Sequence, residues 1–222
     1  MKSGLRTTKL FAIGCIMALC IARPAGGIPV TYTLNLGNDD LTGLPTPFGT
    51  VTVDLVDPTT ATVLFQAGDA GWYHYLFGAT RMVAVNVNGP FTYDAISAWG
   101  QPQTPNSPPS LTADTSVQQV DGWGRFNLVI KGFDGFTHAA RNVSFTLSLT
   151  SGSWASADDV LTPNSNGYFL AAHVLVADGN WQNTDVTGYA TGTCVPDGGV
   201  TATLLGLAVF GLGIVSRKLG TA

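Results

Sequence analysis

The chain carries fourteen acidic residues, and every one is aspartate; glutamate is absent. That omission constrains the fold more than any motif does, because glutamate and lysine coat exposed helix faces whereas aspartate favours turns and caps. Between Ile28 and Pro196 a single lysine, Lys131, accompanies thirteen aspartates. Such a surface belongs to strands and loops. Val51, Val53 and Leu55 alternate with Thr52 and Asp54, and Val143, Phe145, Leu147 and Leu149 alternate with Ser144, Thr146 and Ser148. This is the period of a half-buried strand. Phe126, Leu128 and Ile130 repeat it, and further strands are expected at 30–36, 62–65, 73–77, 82–87, 168–176 and 186–191. Turn signals lie between them, among them Asn38-Asp39-Asp40, Asp57-Pro58, Asn88-Gly89-Pro90, Asp134-Gly135 and Asp178-Gly179-Asn180. Many short strands at this spacing predict an all-β fold, an antiparallel β-sandwich of the jelly-roll or immunoglobulin-like kind.

The two ends differ from this middle. Lys2, Arg6 and Lys9 precede an apolar stretch at 10–21 and a small-residue exit at 22–27, the layout of a secretory signal helix cut after Ala22 or Gly27. At the other end, residues 200–215 contain no charge and are followed by Arg217 and Lys218. As a helix, residues 198–215 cover roughly 27 Å, just short of a hydrocarbon core of about 30 Å. A transmembrane helix is therefore expected, with Arg217 and Lys218 as its cytoplasmic basic stop. The organisation read from the sequence is a signal peptide at 1–27, an exported β-sandwich domain at 28–193, and a tail at 194–222. The proline-rich stretch 101–110 reads as a long surface loop within one domain.

The tail opens on Val195, Pro196, Asp197, Gly198 and Gly199. This short motif, the apolar span and the basic tip together resemble the bacterial PEP-CTERM class of exported proteins, in the variant whose motif reads Val-Pro-Asp-Ser-Gly. Gly198 stands where that variant has serine. The resemblance covers about the last 28 residues. It implies a sorting signal recognised by an exosortase, a membrane-embedded cysteine protease that cuts near the motif and releases or transfers the preceding domain. It further implies export across the inner membrane of a Gram-negative-type bacterium, with the membrane anchor transient, much as the tail of a lipid-anchor signal is lost. Gly132 to Phe136, Trp154 to Ser156 and Ala171 to His173 resemble segments of other proteins of this class, a likeness that implies no activity.

The exported region holds four basic residues against thirteen aspartates, a net charge of −9. That excludes nucleic acid as a partner. Catalytic patterns are missing: no nucleophile elbow, no phosphate-binding glycine loop, and no glutamate for a zinc-protease helix. Two histidines have a nearby aspartate, His138 with Asp134 and His173 with Asp178; were their strands to pair, they would converge on a metal or an acid–base set. The alternative is that each ends a strand and bonds a carbonyl. The sequence assigns neither a metal site nor a catalytic residue. Calcium is the one cofactor with a motive, since Asn38-Asp39-Asp40, Asp158-Asp159 and Asp178-Gly179-Asn180 gather hard oxygen donors, though turn chemistry explains them equally. Trp99, beside the proline-rich stretch, and Trp181, amid Asn180, Gln182 and Asn183, are the tryptophans placed to stack on sugar rings of an extracellular polysaccharide; Trp123 and Trp154 read as core. Cys194 is the single cysteine left once the signal peptide is removed. Two functions follow: a non-enzymatic envelope or extracellular-matrix protein carried by the sorting signal, or a secreted carbohydrate-binding or carbohydrate-active module.

Overall fold

A computed structural model describes residues 27–100, 110–132 and 135–195. The signal peptide, Pro196 to Gly199, the apolar span, Arg217 and Lys218, Asp134, and most of the proline-rich stretch lie outside the described residues. Among the described residues, no helix is long and apolar enough to cross a membrane.

Fourteen strands carry the fold. β1 (Val30–Gly37), β2 (Gly49–Asp57) and β3 (Thr60–Ala67) form a meander; β4 (Asp69–Ala70) and β5 (Tyr73–Phe77) form a short hairpin, and β6 (Val83–Val85) and β7 (Phe91–Trp99) follow. Next come β8 (Thr112–Asp114), β9 (Gln118–Val120), β10 (Gly124–Phe126) and β11 (Leu128–Lys131), then the long strands β12 (Asn142–Leu149), β13 (Leu170–Ala177) and β14 (Asn183–Val195). All pairings are antiparallel, and one ladder runs β7-β12-β3-β2-β1-β14-β13-β6-β11-β8, with β5 also on β13. The ladder curls back on itself. β5 pairs with the 174–177 half of β13, and a bridge between Phe77 and Ala140 returns it to the residues just before β12. The ends of the ladder are β7 and β8, each paired on one side.

Alternation decides which side of each strand faces inward. Val51, Val53 and Leu55 from β2 and Val143, Phe145 and Leu147 from β12 are buried, as their sequence period predicts. Phe65 on β3 joins the layers, its ring 6.0 Å from Phe77 on β5 and 6.3 Å from Phe145. A second, smaller core of Ala84, Val120, Phe126, Val129 and Ala171 lies under the separate β9–β10 ribbon, with Trp123, Tyr168 and Tyr189 against it. Trp154 is core, its indole N–H donating to Asn88 O at 2.9 Å.

One expectation from periodicity changes, and one long strand was not expected. The alternation of Phe126, Leu128 and Ile130 does not belong to one strand. Asn127 interrupts it by accepting from Val87 N at 2.8 Å and donating to Val87 O at 2.8 Å, so β10 pairs with β9 while β11 joins the main sheet. Strand β7 lacks a clean period because its ladder with β12 slips between Ser144 and Thr146, where Ala95 adopts φ of 52°. A bulge of this kind moves one side chain out of phase and hides the strand from pattern reading.

Candidate functional site

Strand register assigns the ends of the sheet. Val30 faces Val53, and Thr31 faces both Thr52 and Val195, so the first described residues and Val195 sit side by side. Gly27 N donates to Leu55 O at this same end. At the other end of these strands, Leu34 faces Gly49 and Gly49 faces Ala67. β14 begins beyond the last residue of β1, since Gly37 pairs with Ala190. The loops 38–48, 68–72 and 178–182 therefore gather at the far pole.

That pole carries a linked cluster of four polar and aromatic side chains. Asp69, directly after β3, pairs across the β4–β5 hairpin with His74, and their side chains meet at 2.7 Å. Arg141 reaches the same carboxylate in a fork, Nη1 to Oδ1 at 2.9 Å and Nη2 to Oδ2 at 3.0 Å, and Nη2 also donates to Ala67 O. Trp181 closes the group: its ring lies 3.8 Å from the His74 ring and within 4° of parallel, and the Arg141 guanidinium stands 5.3 Å from its centroid. Partial burial works to raise the Asp69 pKa, but hydrogen bonds from Arg141 and His74 outweigh it and hold the carboxyl below its ordinary value. With both oxygens engaged and the charge retained, Asp69 is suited to bracing three loops rather than to donating a proton.

The two tryptophans singled out in the sequence both come to this pole. Trp181 sits in the β13–β14 hairpin with φ of 61°, and one of its faces is covered by His74. Trp99 ends β7, 44% exposed, and its carbonyl accepts from Arg141 N at 3.1 Å. Sequence reading passed over two other members. Trp72, in the turn of the β4–β5 hairpin, is 64% exposed, more than any other large apolar residue described. Arg141 is joined to a partner 72 positions away, a pairing that no local pattern encodes. Beside this cluster, a shallow cleft of about 240 Å³ lies between residues 35–48 and Trp123.

Of the two histidine pairs, the first cannot be placed because Asp134 lies outside the described residues, while His173 and Asp178 each bond other partners. His173 is held by Gly78 O at 3.1 Å on Nδ1 and by the Thr187 hydroxyl at 2.9 Å on Nε2, and its ring tilts against Tyr189. Burial pushes its pKa down, with the Gly78 bond working the other way. Asp178 accepts from Asn180 N and Gln182 N at 2.8 and 2.9 Å, which shapes its own turn. The strands expected to bring the pairs together are not neighbours: β12 pairs with β3 and β7, and β13 with β14, β5 and β6. In the loops considered for calcium, side-chain oxygens of Asn38, Asp159 and Asp178 accept from backbone amides. Asn38 Oδ1 accepts from Tyr189 N, and Asp159 Oδ2 from Ala155 N. Among the described residues, no three histidine, cysteine or acidic side chains are grouped to hold a metal.

No family model, curated protein or solved structure matches this chain. The reading of the pole therefore rests on its own geometry.

Proposed function

We propose that the chain is a non-enzymatic envelope or extracellular-matrix protein, exported by its signal peptide, tethered briefly by its tail and processed at Val195 to Gly199 by an exosortase-type protease. The observation that carries this is the pairing of Thr31 with Val195. Both targeting segments attach at one pole, and the sorting motif begins where β14 stops. A tethered precursor would thus stand with that pole on the membrane and its loop-rich pole outward. For the fold we propose a flattened sandwich of the jelly-roll or immunoglobulin-like kind, one layer running from β7 to β1 and the other from β14 to β8. Contact between Phe65 and Phe77 supports two layers facing each other. The engagement of Asp69, His173 and Asp178 in structural hydrogen bonds supports a role other than catalysis.

Mass spectrometry of the mature C-terminus, in producing cells with and without the protease, tests the sorting step. The expected product ends near Val195 only when the protease is present. Residues 204–218 found intact on the mature protein of normal cells would leave a permanently tail-anchored protein instead.

A further inference from the structure

We propose that Trp72 is the stacking platform of a binding site for a neutral, pyranose-based glycan on the pole opposite the chain's two targeting segments. A Cβ placed on Gly179 would stand 2.9 Å from Cδ2, Cε2 and Cζ2 of Trp72 alike. Three equal distances across the fused ring put Gly179 beneath the face of the indole, not at its edge. One face of Trp72 thus rests on the 178–182 hairpin, which needs glycine there, and the residue is 64% exposed. Leaving so much indole in water forgoes the hydrophobic stabilisation that burial of an aromatic ring gives.

The platform is rigid. Asp178 fixes the hairpin below it through the amides of Asn180 and Gln182. Asp69, Arg141 and Trp181 hold His74, which lies in the strand that Trp72 leads into. A ring fixed in advance loses little conformational freedom on binding. Its surroundings set the ligand class. The C–H face of a pyranose is apolar and matches an indole face, while the exposed amides of Asn180 and Gln182 in the same hairpin suit its hydroxyls. A charge of −9 on the exported region repels polyanionic glycans, and the Arg141 fork is already closed on Asp69. These features select an uncharged sugar polymer.

Affinity electrophoresis of the full chain, in a non-glycosidic detergent, through gels containing dextran, mixed-linkage β-glucan, galactomannan or alginate tests the proposal. At least one neutral polymer should retard the protein, and alginate should not. Trp72→Ala should weaken that retardation at least about tenfold, the loss expected for a central aromatic anchor, while Trp72→Tyr and Tyr93→Ala, the latter at an exposed aromatic on β7 near the opposite pole, stay within about twofold of wild type. Wild-type protein should also have Trp72 protected by the neutral polymer from oxidation with N-bromosuccinimide, a readout independent of how the variants fold. Absence of binding to every neutral polymer, alginate binding of equal strength, undiminished binding by Trp72→Ala, or unprotected Trp72 would each overturn the assignment. None of these outcomes depends on whether the tail is cut.

Discussion

At the scale of single residues, the Asp69 carboxylate shows how one charge organises a surface. It is half exposed, so its pairing with Arg141 is screened, yet the two-pronged geometry places it at the favourable end for surface ion pairs. Asp69→Asn is expected to cost roughly 0.5–1 kcal/mol in denaturant unfolding at pH 7 and low salt, with the loss shrinking at high salt. The pH dependence has a definite sign. A carboxyl held below its free value of 3.8 stabilises the fold fully above that value, and the stabilisation disappears as pH falls through the lower folded value. The gap in melting temperature between wild type and Asp69→Asn should therefore be constant above about pH 4 and close as pH falls from there through the lower folded value; melts between pH 2.5 and 7 that stay parallel would contradict this. Sequence reading picked out Trp99 and Trp181 because surface aromatics among amides are visible locally. It could not see Asp69 with Arg141, since 72 residues separate them and only the curl of the sheet joins them.

Among the elements, β14 matters most, because it lies between β1 and β13 and carries the chain from the loop-rich pole to Val195 at the other. Its seam with β1 depends on Gly192: a methyl there would stand 1.9 Å from Thr33 O, a backbone atom fixed within the sheet. Gly192→Ala should destabilise the domain by more than about 2 kcal/mol in denaturant melts, whereas Thr193→Ala, at an exposed neighbour, should change it by less than about 0.5 kcal/mol. Equal effects would show that the seam tolerates widening. Strands β2 and β12 were legible in sequence because their inward residues face a single core at period two. Strand β7 was not, since its bulge at Ala95 breaks the period, and β10 and β11 read as one strand because Asn127 is polar in either case. Fine pairing thus depends on a few residues that leave the hydrophobic count unchanged.

Across the described residues, register makes the domain polar in the geometric sense: residues 27–31 and Val195 at one end, three loops with Trp72, Trp99 and Trp181 at the other. A tethered precursor should reveal that orientation. In a Cys194→Ser background, a cysteine at Thr42, on the outer pole, should react with a membrane-impermeant maleimide at least about threefold faster than one at Ser151, beside the β2–β3 turn at the inner pole. Both positions are exposed in the isolated domain, so release should equalise them. Equal rates while the tail is attached would argue against the tethered geometry.

Aspartate without glutamate, strand-period apolar residues and the two apolar ends are properties of composition and local order. The first two were enough to predict the antiparallel β protein that the structure shows, because backbone preference and hydrophobic period act over a few residues. Tertiary structure decided the rest. Only the curl of the sheet brings residues 69, 74, 141 and 181 into one brace, and only the hairpin pairing of β13 with β14 lays Gly179 under the Trp72 ring. Those contacts join residues distant along the chain, and no local preference specifies which distant partners meet.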